Sequence, residues 1–141
     1  MAQENAKSTP SSKKGPLAHG VGRRKSSVAR VWFHRGSGKI SVAKQDIKDY
    51  FDTKLDYLRA ITPVKLVPTT NYDISVNVRG GGKVSQADAI KLAIARCILS
   101  LDESTRSLLR SQDLLTVDSR VKERKKPGQK AARRKFQFVK R

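Results

Sequence analysis

The last 22 residues of the chain constrain its fold most, because they cannot form a hydrophobic core of their own. Residues 120–141 contain eleven Lys or Arg side chains and a single acid, Glu123. No alternation of apolar residues supports a strand, and Pro127-Gly128 interrupts any helix near its start. Such a segment buries too little apolar surface to offset the entropy lost on ordering. The segment 120–141 is therefore predicted to be a tail that becomes ordered when it binds a polyanionic partner.

The net charge of +19 is distributed unevenly along the 141 residues. The segments 1–20, 21–45, 46–118 and 119–141 carry +2, +7, zero and +10 respectively. A charge-balanced core between two basic segments is typical of a protein that binds phosphates. We therefore expect a disordered leader at 1–19, a globular domain at 20–118 and an extended basic tail at 119–141.

Several other classes of protein are disfavoured. No apolar run approaches 18 residues, so we expect no membrane span, and the N-terminus lacks the hydrophobic segment of a signal peptide. Cys97 is the single cysteine, which predicts a fold without disulfides in a reducing compartment. A cytoplasmic location is therefore expected. An organellar location is less favoured, because the leader contains Glu4 and no Arg.

The periodicity of the apolar residues predicts an α+β domain. We expect strands at 28–35, 40–42, 72–79 and 114–117, the first two paired as a hairpin. Short helices begin after Asp46 and Thr53, Pro63 ends the second of them, and another covers 103–110. The longest helix, 85–101, is predicted to be capped by Ser85. The result is a mostly antiparallel four-stranded sheet with helices on one face, followed by the basic tail.

The apolar stripe of helix 85–101 recurs at three- to four-residue spacing and contains Ile90, Ile94, Cys97 and Ile98. This position predicts that Cys97 is a core residue and not a nucleophile.

Two glycine-containing stretches are candidate phosphate sites. Gly20–Ser27 combines two glycines with three cations and two hydroxyls, which favours a phosphate-contacting loop over an exposed basic turn. Gly80-Gly81-Gly82 is interpreted as a tight turn with close backbone packing, which is compatible with RNA approach.

Nucleotide-binding motifs are incomplete. A Walker A motif ending at Gly82-Lys83 needs Gly at 77 and Ser or Thr at 84, where the chain has Asn77 and Val84. A Rossmann pattern beginning at Gly20 meets Lys25 in place of its third glycine. There is also no His/Cys cluster with metal-ligand spacing. We expect neither a cofactor, nor a metal, nor an enzyme.

Three motifs carry a family resemblance. They are Gly22-Arg23-Arg24-Lys25-Ser26-Ser27-Val28-Ala29-Arg30, the run from Gly80 through Ser85-Gln86 to Ala95-Arg96, and Asp118-Ser119-Arg120-Val121-Lys122 continuing to Pro127-Gly128. Together with the terminal Lys140-Arg141 they resemble the family of small ribosomal subunit protein nine, from about Gly20 to the end of the chain. Cys97, Ser119 and Val139 depart from that family's usual Ala, Pro and Ser.

The resemblance implies a structural protein in the head of the small ribosomal subunit. The expected partners are the 3′ domain of the small-subunit rRNA, neighbouring head proteins and the anticodon stem-loop of the P-site tRNA. The implied fold is that of the second domain of small-subunit protein five. The candidate rRNA-contacting residues are Gly22, Arg23, Arg24, Lys25, Ser26, Ser27, Arg30, Arg35, Lys39, Gly80, Gly81, Gly82, Lys83, Arg120, Lys122, Arg124, Lys125, Lys126, Lys130, Arg133, Arg134 and Lys135. Lys140 and Arg141 are the candidate tRNA contacts.

Some alternatives stay open on the sequence. Phe136 and Phe138 fit either stacking on unpaired bases or packing on a neighbouring protein or on rRNA sugar edges. Trp32 fits stacking on a base, although packing within the domain is the commoner role. The rival classes are a free, chromatin-like nucleic-acid-binding module and an enzyme on a related α+β fold.

Overall fold

The computed structural model describes residues 15–68 and 71–139. Within these ranges the strands are β1 Ala18–Arg24, β2 Ser27–Arg35, β3 Ile40–Val42, β4 Gln45–Asp46 and β5 Tyr72–Arg79. The helices are α1 Ile47–Tyr50, α2 Lys54–Ala60, α3 Thr62–Leu66, α4 Lys83–Leu101 and α5 Arg106–Ser111, with a 3₁₀ turn at Glu103–Thr105. The predicted α+β class is confirmed.

The sheet is mixed and runs in the order β1-β2-β5-β3-β4. Three of its pairings are antiparallel, and β3 is parallel to β5. The prediction of four strands was therefore one short, and the predicted hairpin between 28–35 and 40–42 was wrong. Strand β5 lies between β2 and β3, because β2 gains a longer ladder from eight-residue pairing with β5 than a three-residue strand offers.

Strand β1 was missed, and it begins at Ala18, inside the predicted leader. Its inward positions are Ala18, Gly20 and Gly22, so the alternation of large apolar residues that reveals a strand is absent. The prediction that Gly20–Ser27 is a loop was consequently wrong, apart from the two residues that connect β1 to β2.

The predicted strand at 114–117 was also wrong. Leu114 is buried, and its backbone N–H donates to the carbonyl of Leu109 at 3.1 Å, which returns the chain onto the core at the end of α5. Thr116 and Val117 are exposed and pair with no strand. Leu114 and the partly buried Leu115 pack against the core, so this apolar run is explained by core contacts without a strand.

Helix α4 covers the inner face of β1 and β2, and α2 and α3 pack against α4. The approach of α4 to β1 leaves no room for side chains at Gly20 and Gly22. A Cβ atom on Gly22 would collide with the carbonyl oxygen of Ala89 and lie 2.7 Å from the nitrogen of Ala93. A Cβ atom on Gly20 would lie 2.7 Å from Sγ of Cys97. The strand and the helix therefore meet backbone to backbone.

Cys97 faces this contact and is fully buried, as the sequence predicts. Burial raises the pKa of the Cys97 thiol to about 12, so the group stays protonated and unreactive near neutral pH. Ile90, Ile94 and Ile98 extend the same buried stripe along α4. The interpretation of Cys97 as a core residue is thus confirmed.

Two predicted helix boundaries need correction. Helix α4 begins at Lys83 with Gly82 as its N-cap, so Ser85 lies within the first turn and does not cap the helix. Helix α2 ends at Ala60, and Pro63 lies in the first turn of α3, where its missing N–H costs nothing. In the ranges that the structure describes, no helix is long and apolar enough to cross a membrane.

Replacing Gly22 with Ala should separate β1 from α4, because the added methyl group meets helix backbone that cannot rotate away. We expect the free energy of unfolding to fall by about 1–3 kcal/mol, the usual cost of overpacking. Urea denaturation measures this change. Gly15→Ala is the matched control, since nothing lies within 4 Å of a Cβ atom there. Equal stability of the two variants would refute the close contact.

Candidate nucleic-acid interface

The turn between β1 and β2 is one of the two predicted basic sites. Arg24 pairs with Ser27 in the sheet register, so Lys25 and Ser26 form the two-residue connection. Lys25 has a φ of 51°, and its side chain is exposed together with those of Arg23 and Ser26. The turn therefore presents two cations and a hydroxyl to solvent, a set suited to phosphate contacts.

Arg24 differs from its neighbours because its guanidinium is engaged within the protein. It contacts Asp118 at 2.9 Å and Asp88 at 3.7 Å, and it donates to the backbone carbonyl of Arg120 at 2.9 Å. These partners come from α4 and from the junction of the domain with the tail. Arg24, a predicted rRNA contact, thus fixes the point at which the tail leaves the domain. We call this group the tail anchor.

Asp118 completes the tail anchor from the other side. Its carboxylate accepts hydrogen bonds from the Arg120 side chain, the shortest at 2.7 Å, and from the Arg120 backbone N–H at 3.0 Å. These bonds hold the pKa of Asp118 well below its usual value of 3.8, with smaller contributions from the charges of Arg120 and Arg24. The carboxylate therefore stays ionised in mild acid.

Gly80 and Gly81 have positive φ angles of 74° and 67°, which other residues adopt with strain. A Cβ atom on Gly81 would collide with the hydroxyl of Ser27, and that hydroxyl donates to the Gly80 carbonyl at 2.9 Å. The glycine run is thus a tight turn packed on the start of β2. Ser27 and Gly22, both predicted rRNA contacts, are buried and serve the fold.

Lys83, the first residue of α4, is also occupied. Its Nζ lies 3.8 Å from the centre of the Tyr50 ring and donates to the Tyr50 carbonyl at 2.7 Å. The Tyr50 hydroxyl hydrogen-bonds Gln86 at 2.7 Å, and burial raises its pKa. The ammonium group of Lys83 is therefore partly occupied by its contacts with Tyr50 of α1, and it is less available to RNA.

Arg35 and Lys39 flank the loop that follows β2, and both are exposed. The Asp73 carboxylate organises this loop by accepting from the backbone N–H groups of Lys39 at 3.0 Å and Ser37 at 2.8 Å. Hydrogen bonding to the Lys39 N–H is the main cause of a lowered Asp73 pKa. Backbone N–H groups thus supply the hydrogen bonds of Asp73, and the side chains of Arg35 and Lys39 stay exposed to solvent.

The tail is described to Val139 and forms no helix or strand in that part. It bends over residues 127–133, where the Lys130 N–H donates to the Arg134 carbonyl at 2.8 Å and an ion pair joins Arg133 to Glu123. Up to Val139, the tail cations that have no carboxylate partner are Lys122, Arg124, Lys125, Lys126, Lys130, Arg134 and Lys135. The predicted tRNA contacts, Lys140 and Arg141, lie outside the described residues.

The candidate residues occupy several surfaces rather than one. Arg23 and Lys25 lie at one end of the sheet, and Arg30 is exposed on the sheet face opposite α4. Arg79, which sequence reasoning missed, pairs with Val28 beside that turn and is exposed. The sequence did contain a signal for Arg79, because this residue is the last one on the polar face of an alternating strand.

No group of three or more His, Cys, Asp or Glu residues capable of holding a metal ion occurs in the described ranges. The described features are an α+β domain that is charge-balanced only over residues 46–118, exposed cations without acidic partners and a basic C-terminal tail. These features are typical of structural proteins that bind a nucleic acid.

Comparison with known proteins defines the family. The family model for ribosomal protein S9/S16 matches residues 22–141. Small ribosomal subunit protein uS9 of Christiangramia forsetii is 48% identical over 126 residues, which cover 89% of this chain and 98% of the relative. The proteins of that name from Mycoplasmopsis pulmonis and Chlorobaculum tepidum are 47% and 48% identical, covering 91% and 86% of this chain and 95% of each relative.

The chain belongs to the ribosomal protein S9/S16 family. It is a structural ribosomal protein and not an enzyme.

Neutralising Arg120 should raise the pKa of Asp118 towards 3.8, because the Arg120 side chain is the main cause of its lowering. Because the pKa of Asp118 is lowered in the folded state, the ionised carboxylate stabilises the tail anchor at pH values above the ordinary pKa of 3.8. This stabilisation is lost as the pH falls through the lowered pKa. The measurement is an acid titration of the Asp118 carboxyl carbon by NMR in Arg120→Gln.

Two further variants control this titration. Arg24→Gln should raise the pKa of Asp118 less than Arg120→Gln, and Lys122→Gln should leave it unchanged. An Asp118 midpoint near 3.8 in the unaltered chain would show that the anchor does not form in solution.

Proposed function

We propose that the chain is a structural constituent of the small ribosomal subunit and binds the 3′ domain of the small-subunit rRNA in the subunit head. The observation that carries this proposal is the set of exposed cations without carboxylate partners on the β1–β2 turn and along the tail. The named relatives, each a small ribosomal subunit protein, support the choice of RNA as the polyanion.

Two surfaces supply the proposed contacts. The turn surface comprises Arg23, Lys25 and Ser26. The tail surface comprises Lys122, Arg124, Lys125, Lys126, Lys130, Arg134 and Lys135. Both would bind mainly phosphate oxygens, which position a protein on RNA without reading its sequence.

Phosphates would also change the shape of the tail. The Glu123–Arg133 pair is exposed and therefore contributes little to stability. A phosphate near Arg133 competes directly with the Glu123 carboxylate, since both accept the same guanidinium N–H groups. We infer that the bend at 127–133 opens when the tail meets rRNA.

The tail anchor determines where the extended tail starts. Arg24 ties Asp118 and Arg120 to the end of β1, so the tail departs next to the turn surface. Beyond Pro127 an extended chain gains about 3.3–3.6 Å per residue, or roughly 50 Å by Arg141. This length supports the proposal that Lys140 and Arg141 reach the anticodon stem-loop of the P-site tRNA.

Apolar side chains in the tail favour contacts beyond phosphates. Phe138 is 97% exposed and Phe136 is 55% exposed, which is unusual for residues that bury apolar surface readily. Both alternatives from the sequence remain, namely stacking on unpaired bases and packing on a neighbouring protein or on rRNA sugar edges.

Replacing Lys125, Lys126 and Lys130 with Gln should reduce the salt dependence of binding to a transcript of the rRNA 3′ domain. Each neutralised phosphate releases about 0.7–0.9 counterions, so the slope of log K against log salt should become shallower by about 2–3. The measurement is the dissociation constant at four or more salt concentrations.

The matched control replaces Lys48, Lys54 and Lys65, three exposed cations of the charge-balanced region. It removes the same formal charge and should leave the slope nearly unchanged. Equal loss of slope in the two triple variants would mean that net charge, and not the tail surface, binds the RNA. Equal affinity for duplex DNA would favour the chromatin-like alternative.

Deleting Lys140 and Arg141 should weaken P-site tRNA binding while leaving folding and rRNA binding nearly unchanged. The expected loss is at most about 1.5–3 kcal/mol per charge-assisted hydrogen bond, and less where solvent screens it. The measurement is tRNA dissociation from purified small subunits that carry the shortened protein. A chain lacking Lys7 and Lys13 is the control, and identical dissociation from shortened and intact subunits would remove the tRNA role.

A further inference from the structure

The face of the sheet opposite α4 carries an organised row of side chains that the proposed phosphate contacts do not use. In the sheet register His19 lies beside Trp32, Trp32 beside Ser75, and Ser75 beside Ser41. The neighbouring row places Val21 beside Arg30 and Arg30 beside Asn77. We call these two rows the open face.

Trp32 is held in place on the open face while part of its ring stays accessible. The side chain is half-buried, and its ring lies 5.3 Å from the ring of exposed His19, tilted by 32°. This cross-strand contact fixes the orientation of the indole from one side. A flat group arriving on the other side meets an aromatic surface that is already ordered.

A shallow groove of about 400 Å³ adjoins the indole. Its polar lining includes Ser75, which offers a hydroxyl group, and Asn77, which offers an amide. The Ser41 hydroxyl also lines the groove and donates to the Ile74 carbonyl at 3.5 Å, so it is left to accept a hydrogen bond. Lys44 supplies a cation at the rim. An aromatic surface with hydrogen-bonding groups and one cation matches a nucleobase followed by its phosphate.

The charges on this side favour an anion over a neutral partner. Arg23, Arg30 and Arg79 are exposed here, and none of them pairs with a carboxylate of the described residues. The acids on this side are Asp46 and Asp73, and both accept hydrogen bonds from backbone N–H groups. The three arginines outnumber these two acids, so an anionic polymer is attracted to the part of the open face around Arg23, Arg30 and Arg79.

We propose that the open face binds an unpaired nucleotide of single-stranded RNA, with its base stacked on Trp32 and its phosphates near Arg30 and Lys44. This site rests on the proposed function in one respect, namely that the partner is RNA. It adds a base contact on the domain itself, whereas the Lys and Arg side chains of the turn and tail surfaces are proposed to contact phosphates.

Trp32 is the only tryptophan of the chain, so its fluorescence reports this site directly. The probe is a hexamer of single-stranded uridylate added to the full-length protein at fixed salt. Stacking should quench the Trp32 emission, whereas a hexamer of abasic phosphodiester should bind without quenching. Trp32→Ala should weaken binding of the uridylate hexamer by about 5- to 150-fold, and Trp32→Phe should restore part of the affinity.

Phe138→Ala is the control for stacking in the tail, and it should leave the Trp32 quenching intact. Circular dichroism and thermal unfolding establish that each variant is folded. If the uridylate hexamer binds without quenching and Trp32→Ala binds as tightly as the unaltered chain, the open-face site is wrong and the phosphate surfaces stand. If the unaltered chain binds neither the hexamer nor the rRNA transcript, the open-face site and the proposed function both fail.

Discussion

Helix α4 packs directly on the backbone of β1, and this packing fixes the positions of the basic turn and of the start of the tail. Gly20 and Gly22 present bare backbone to Ala89, Ala93 and Cys97, so a strand and a helix approach more closely than side chains would allow. That approach holds β1 at the edge of the sheet, and β1 ends in the turn that carries the exposed cations. The basic turn therefore has a fixed position because the core beneath it is tightly packed.

Strand β1, which packs on α4, also connects the core to the tail through its last residue. Arg24 is the last residue of β1, and its guanidinium links Asp88 of α4 to Asp118 and the backbone of Arg120. Two carboxylates around one arginine neutralise charge where the chain is most basic, which reduces repulsion between the turn and the tail. The domain thus uses some of its few acids to hold two cationic segments side by side, and the remaining cations face solvent.

The sequence predicted those elements whose side chains follow a clear period, namely β2, β5 and α4. It failed where structure depends on distant partners. The inward positions of β1 are small because α4 is close, and glycines two residues apart were interpreted as a loop although they mark a strand under a helix. Likewise, the basic character of Arg24 was evident from the sequence, but its acidic partners lie 64 and 94 residues away. The exposed cations of the turn were identified because charge patterning is local.

We infer that a preformed domain presents a fixed basic turn and a basic tail that becomes ordered only on RNA. Amide hydrogen exchange of the full chain, free and bound to the rRNA 3′ domain, tests it most directly. We expect slow exchange in β1 and α4 in both states, and slow exchange of the amides at 122–139 only in the complex. Protection of that segment in the free protein, or its rapid exchange in the complex, would show that RNA does not order the tail.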